Sequence, residues 1–103
     1  MYKVLLVDDE YMITEGLKRL IPFEKWDMEV VATANHADDA LDYVREHPVD
    51  IVISDVNMPD KTGLEMIQEM KDLLPDAYYI LLSGYQEFDY VKKAMNLNVV
   101  DYL

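Results

Sequence analysis

The sequence predicts an α/β fold in which a five-stranded parallel sheet carries helices on both faces. Short, β-branched apolar runs alternate with stretches of helical periodicity, five of the first and four of the second, the pattern of strand–helix–strand crossovers. The connections between them are short, as right-handed crossovers within one domain require. Asp8-Asp9, Asp55 and Ser83 all fall where strands are expected to end, and ligands gather at the carboxyl ends of strands in open parallel sheets.

Tyr2 to Val7 is the first expected strand, centred on Val4-Leu5-Leu6-Val7. A continuous apolar run suits a strand buried on both faces. Asp8-Asp9-Glu10 follow at once, and a helix is expected from Glu10 or Tyr11. Ile13, Leu17, Leu20 and Ile21 have i, i+4, i+7, i+8 spacing and define its apolar stripe, and Pro22 stops it. Phe23 to Met28 reads as a connection, and Glu29 to Thr33 as the second strand around Val30 and Val31. Asn35 is a residue type suited to an N-cap, with Asp38 and Asp39 in a first turn whose dipole favours negative charge. Ala37, Ala40, Leu41 and Val44 form the stripe of that second helix, and His47-Pro48 closes it.

Ile51-Val52-Ile53 is the third strand, with Asp55 at its carboxyl end. Pro59 cannot continue a ladder. Thr62 and Glu65 have capping-box spacing, so a helix is expected from about Gly63, carrying Met66, Ile67, Met70, Leu73 and Leu74. After a turn at Pro75-Asp76, Ala77 to Leu82 forms the fourth strand and ends at Ser83-Gly84. Phe88, Val91, Ala94 and Met95 mark a fourth helix, which Asn96-Leu97-Asn98 closes. Val99 to Leu103 is the fifth strand. No repeat, low-complexity segment or boundary interrupts the pattern, so residues 1–103 read as one domain.

Composition narrows the function. At 103 residues and 51% hydrophobic, the chain has the length and apolar content for a single core. A formal net charge of −12 argues against a direct grip on nucleic acid or an anionic membrane and favours cations or basic partner surfaces. With no cysteine, disulfides, thiol catalysis and thiolate metal sites are excluded. Neither a secretory signal nor an apolar run of membrane-spanning length is visible, so a soluble cytoplasmic domain is expected.

In the strand order 2-1-3-4-5, the first and third strands are neighbours at the topological switch point, and Asp8, Asp9 and Asp55 line one crevice. Three carboxylates so close repel one another and raise at least one proton affinity. Such a cluster suits a hard divalent cation; Mg²⁺ takes a few carboxylates plus waters and a phosphate oxygen. Taken singly, Asp8 and Asp9 also read as N-caps and Asp55 as a turn former. That reading leaves their common location unexplained.

At these residues the chain resembles the receiver domain of two-component response regulators. The resemblance is carried by Lys3-Val4-Leu5-Leu6-Val7-Asp8-Asp9-Glu10, by Asp50-Ile51-Val52-Ile53-Ser54-Asp55-Val56-Asn57-Met58-Pro59, by Gly63-Leu64-Glu65, by Leu82-Ser83-Gly84-Tyr85 and by Val100-Asp101-Tyr102-Leu103. Pro22-Phe23-Glu24-Lys25-Trp26 and Ser83 to Tyr90 further resemble regulators whose output module is an AraC-type DNA-binding domain. The resemblance implies a flavodoxin-like doubly wound sheet, with the chain stopping before the family's fifth helix. It implies that Asp55 is the phosphoryl acceptor and that Asp9 and Asp55 ligate Mg²⁺. Asp8 supports the metal through water, and Asn57 supplies its backbone carbonyl. Ser83 and Tyr102 form the switch. A sensor histidine kinase donates the phosphate, and the domain then hydrolyses its own acyl phosphate. DNA is reached only through an output domain outside the chain, and the overall role is control of transcription.

The family's Lys after the Tyr102 position lies beyond Leu103, so no catalytic Lys is expected within the chain. Lys61-Thr62 stand where an apolar–acidic pair is more usual. With only the first helix on its side of the sheet, apolar side chains around Ile51-Val52-Ile53, Ile80-Leu81-Leu82 and Val99-Val100 are expected to meet water. A homodimer is therefore expected through that face, or through the fourth-helix and fifth-strand face, where Tyr85, Tyr90 and Tyr102 stand. His36 and His47 read as solvated or capping residues, and the seven Met as core filler. Two other functions are carried alongside. A haloacid-dehalogenase-type phosphohydrolase wants Asp-x-Asp after its first strand, where this chain has Asp8-Asp9-Glu10. A pseudo-receiver, a binding module that never takes phosphate, has no need of the intact acidic trio.

Overall fold

The computed structural model describes residues 1–55, 58 and 61–82 in full, and residues 101 and 102 through their backbone. Its elements are β1 (Tyr2–Val7), α1 (Tyr11–Leu20), a 3₁₀ turn (Phe23–Trp26), β2 (Met28–Ala34), α2 (Ala37–Glu46), β3 (Ile51–Asp55), α3 (Gly63–Leu73), β4 (Tyr78–Leu82) and β5 (Asp101–Tyr102). The strands form one parallel sheet in the order β2-β1-β3-β4-β5, the expected doubly wound arrangement. The expected fourth helix, with Phe88, Val91, Ala94 and Met95, lies outside the described residues, as do Val99 and Val100.

Register explains why β1 is apolar throughout. Leu5 and Val7 point into one core with Val52, Leu81 and the buried faces of α2 and α3. Val4 and Leu6 point the opposite way and pack with Phe23, Ile51 and Ile53, with Leu17, Ile21, Ile80 and Leu82 at the margin. Successive side chains of a strand alternate between faces, so a strand covered on both sides is apolar at every position. The β1–β2 ladder shifts between Val4 and Leu5, so that Val31 has no Cα partner.

The helices follow the sequence with three corrections. On α2, Ala37, Ala40, Leu41 and Val44 are all buried, as the stripe predicts. On α3, Thr62 and Glu65 close a reciprocal capping box, and Met66, Ile67 and Met70 are buried, whereas Leu73 is exposed. On α1 the expected stripe splits. Leu17 and Ile21 pack against the sheet, but Ile13 is 42% and Leu20 82% exposed. The fully buried residue of that helix is Thr14, whose hydroxyl donates to the Tyr11 carbonyl at 2.9 Å and so enters an apolar face already satisfied. At the start of α2 the N-cap position belongs to His36, not Asn35, and the His36 side chain makes no capping bond. His36 and His47 are both exposed at helix ends, in keeping with the expected solvated roles.

The connection after α1 is more ordered than expected. Phe23 buries its ring in the second core, and the 3₁₀ turn closes at Asp27 in the left-handed region, φ 60°. Asp tolerates that conformation better than most residues. The Asp27 carbonyl accepts the Tyr2 N–H at 2.7 Å, which ties the turn to the start of β1.

The sheet face beside α1 is better covered than the sequence implies. Ile51 and Ile53 are each 8% exposed, while Ile80 and Leu82 are half-buried. Val52 and Leu81 are fully buried because they belong to the opposite face.

Candidate functional site

Two registers bring the acidic residues together. Val7 of β1 pairs with Ser54 of β3, so Asp8 and Asp55 leave their strands at the same level. Asp9 follows on the way into α1. One carboxylate oxygen from each of Asp8, Asp9 and Asp55 lies within 4.8 Å of the other two. Asp8 is buried, Asp55 half-buried and Asp9 exposed, so the trio grades from protein to solvent. It opens on a crevice of about 260 Å³ lined by Asp8, Glu10, Ile13, Asp55 and Leu82.

Hydrogen bonds fix the loop that carries two of the three. The Asp8 N–H donates to the Ala34 carbonyl at 3.1 Å, extending the β1–β2 ladder by one bond. Asp8 Oδ1 accepts the Glu10 N–H at 2.9 Å and so stabilises the turn into α1. The Asn35 side-chain amide donates to the Asp8 carbonyl at 3.0 Å. On β3, buried Ser54 donates its hydroxyl to the Asp55 carbonyl at 2.9 Å.

Electrostatics mark the site as short of positive charge. Burial, followed by the neighbouring carboxylates of Asp55 and Asp9, raises the Asp8 carboxyl to about 6, against the pull of the Glu10 N–H. The donor set is three carboxylate oxygens, with neither nitrogen nor sulfur, which fits a hard divalent cation. Met58 is buried, Thr62 caps α3, and Lys61 pairs with Asp38 of α2 at 3.4 Å and Glu69 of α3 at 2.5 Å.

Of the residues predicted for the site, the structure thus brings together Asp8, Asp9 and Asp55. Asn57, Ser83 and the side chain of Tyr102 lie outside the described residues, although the backbone of Tyr102 pairs with Leu81 in the sheet. The sequence reading missed Asn35 as a partner of the acidic loop. Its residue type had a sufficient local explanation as a helix cap, and a bond across 27 residues leaves no periodic trace. Among the described residues, no helix is long and apolar enough to cross a membrane.

Comparison with known proteins points the same way. The family profile described as the response regulator receiver domain matches residues 4–103. An uncharacterized response regulatory protein of Staphylococcus epidermidis is 41% identical over the whole chain. The transcriptional regulatory protein HptR of Staphylococcus aureus is 37% identical over the same span. The chain covers 40% of the length of each of these relatives. Among solved structures, the REC domain of AraT, a response regulator from Geobacillus stearothermophilus, superposes with a TM-score of 0.91 at 39% identity, over 99% of this chain and 79% of that one. A two-component transcriptional regulator AraC from Clostridium phytofermentans gives 0.91 at 28% identity, over 100% of this chain and 80% of that one.

Proposed function

This chain belongs to the response regulator receiver domain family, and from that premise we propose that it accepts a phosphoryl group on Asp55 from a sensor histidine kinase, with Mg²⁺ held at the acidic trio. The observation that carries the reading is the β1–β3 register, which levels Asp8 with Asp55 and gathers three carboxylates at the switch point of the sheet.

Asp8, Asp9 and Asp55 would hold the cation, together with the Asn57 carbonyl. When bound, Mg²⁺ neutralises the charge of the phosphoryl oxygens and of the carboxylates around them. The chain's own part is nucleophilic. A carboxylate oxygen of Asp55 attacks the phosphorus of a phosphohistidine; the P–N bond breaks, its electron pair stays on the imidazole nitrogen, and that nitrogen takes up a proton. The new P–O bond leaves Asp55 as an acyl phosphate. Hydrolysis returns it: water attacks the phosphorus, the Asp55 carboxylate departs and inorganic phosphate is released. The half-buried position of Asp55 suits both steps, open to a donor and still held by β3.

The added charge is read by Ser83 and Tyr102, whose expected response is the switch that controls an output module. Relatives named as transcriptional regulators support transcription as the output, with DNA contacted by that module, and a cytoplasmic location follows from such a role. Self-association through the sheet face beside α1, where Ile80 and Leu82 are half-buried, or through the fourth-helix and fifth-strand face is a further part of the reading. Light scattering across a dilution series tests it.

The central test is incubation with a small acyl phosphate and Mg²⁺, read by intact mass. One phosphate per chain, absent when EDTA replaces Mg²⁺, is expected. Turnover of many phosphomonoesters would make the chain a phosphohydrolase, and no adduct at all would make it a pseudo-receiver.

A further inference from the structure

We propose that Asn35 is a positioning residue for cation binding, setting the geometry of the acidic loop and with it the preference for Mg²⁺ over larger cations. The inference rests on the reading of Asp8, Asp9 and Asp55 as a cation site.

The β1–β2 ladder ends with Val7 opposite Ala34, and one further bond joins the Asp8 N–H to the Ala34 carbonyl. From there β1 turns toward α1 and β2 toward α2, so the two backbones diverge. The Asp8 carbonyl would next take a strand partner, and the side chain of Asn35 supplies it at 3.0 Å. A side chain thus extends the ladder where the backbone no longer can. The bond fixes the peptide plane between Asp8 and Asp9. Those two residues carry two of the three carboxylates, and the plane between them decides how their side chains diverge.

The residue gives up another role to do this. Asn is among the best N-caps, yet the cap position of α2 falls one residue later, at His36, whose side chain makes no capping bond. The cap position passes to His36, while Asn35 is half-buried against the acidic loop. The Asp8 loop is then held at three points: the Ala34 carbonyl, the Glu10 N–H and the Asn35 amide. Groups that orient metal ligands without touching the metal typically change affinity by 10–100-fold when removed.

Rigidity has a specific consequence for cation choice. Mg²⁺ demands near-ideal octahedral geometry at short range, whereas Ca²⁺ accepts a looser and more variable shell. A loop freed from Asn35 therefore loses more affinity for Mg²⁺ than for Ca²⁺.

The test is calorimetric titration of MgCl₂ and of CaCl₂ into the wild-type chain, Asn35→Ala and His36→Ala, with melting followed in EDTA. Asn35→Ala is expected to weaken Mg²⁺ binding on the order of tenfold and Ca²⁺ binding by clearly less. His36→Ala, altered at the neighbouring exposed cap position, is expected to bind both as the wild type does. Equal losses of Mg²⁺ and Ca²⁺, unchanged Mg²⁺ binding in Asn35→Ala, or the same loss in His36→Ala would each overturn the positioning role. Absence of Mg²⁺ binding in the wild type would instead overturn the cation site on which the role rests.

Discussion

Asp8 accepts the Glu10 N–H at 2.9 Å and still holds its proton to a pH of about 6. A backbone donor lowers a carboxyl, so burial and the carboxylates of Asp55 and Asp9 must outweigh it. Between about pH 4 and 6 the folded chain keeps a proton at Asp8 that the unfolded chain has already released. Stability from this group therefore falls as pH rises through that window and is flat above it. The shift limits the loss to about 3 kcal/mol at neutral pH, an upper bound that solvent screening lowers. In EDTA at pH 7, Asp8→Asn is expected to melt several degrees above the wild type, with the difference fading by pH 4.5. Thermal melts across pH check it, and a variant less stable at pH 7 would refute the electrostatic account.

The same repulsion sets the pH range of cation stabilisation. A divalent ion binds the ionised trio, so proton and metal compete. Mg²⁺ is expected to raise the melting temperature above pH 6 and to do little near pH 4. At one hundred times its Kd, a bound ligand adds about 2.7 kcal/mol. The double variant Asp8→Ala with Asp9→Ala is expected to show no Mg²⁺ shift at pH 7. A shift of undiminished size would place the metal elsewhere.

What the sequence disclosed depended on whether the cause was periodic or long-range. The limits of β1, the α2 stripe and the Thr62–Glu65 cap were legible because each is set by neighbours within a few residues. Register was legible through the strand order, which places Asp8 beside Asp55. The α1 face was misread because Thr14 counts as polar in a pattern, yet its hydroxyl is satisfied by its own helix and costs little to bury. Leu20 satisfied the period but falls on an exposed flank. Asn35 was misread because its partner is distant in sequence and is a backbone carbonyl, which no residue letter reveals.

Thr62 accepts the Glu65 N–H at 3.1 Å, and Glu65 accepts the Thr62 N–H at 3.1 Å. Thr62→Ala removes half of this pair at the start of α3 and is expected to cost about 1 kcal/mol. Because α3 supplies Met66, Ile67 and Met70 to the larger core, the loss should appear in global unfolding. A urea titration with unchanged slope and lowered midpoint is the expected result.

Gly16 lies inside α1, and a Cβ built there meets no heavy atom within 4 Å. Ala is preferred to Gly in a helix interior by up to about 1 kcal/mol. Gly16→Ala is therefore expected to stabilise the chain by that order, without changing Mg²⁺ affinity. Destabilisation would show that the flank holding Gly16, Ile13 and Leu20 is covered in solution by another surface that a methyl group displaces.

Asp55→Asn separates chemistry from electrostatics. The change keeps the side chain's shape and the β3 ladder, which uses the backbone, but removes the nucleophile. Phosphate uptake from an acyl phosphate is expected to vanish by intact mass. It also removes one of the charges that raise the Asp8 carboxyl, although burial is the larger cause. The variant is therefore expected to be modestly more stable than the wild type at pH 7 in EDTA, by less than Asp8→Asn. Its destabilisation with rising pH should start at the same pH but level off at a lower one, because Asp8 gives up its proton more readily once Asp55 is neutral. A variant that labels normally would remove Asp55 from the reaction. One that fails to label but melts on the wild-type pH profile would show that Asp55 carries no charge felt by Asp8, contrary to the 4.8 Å grouping of the trio.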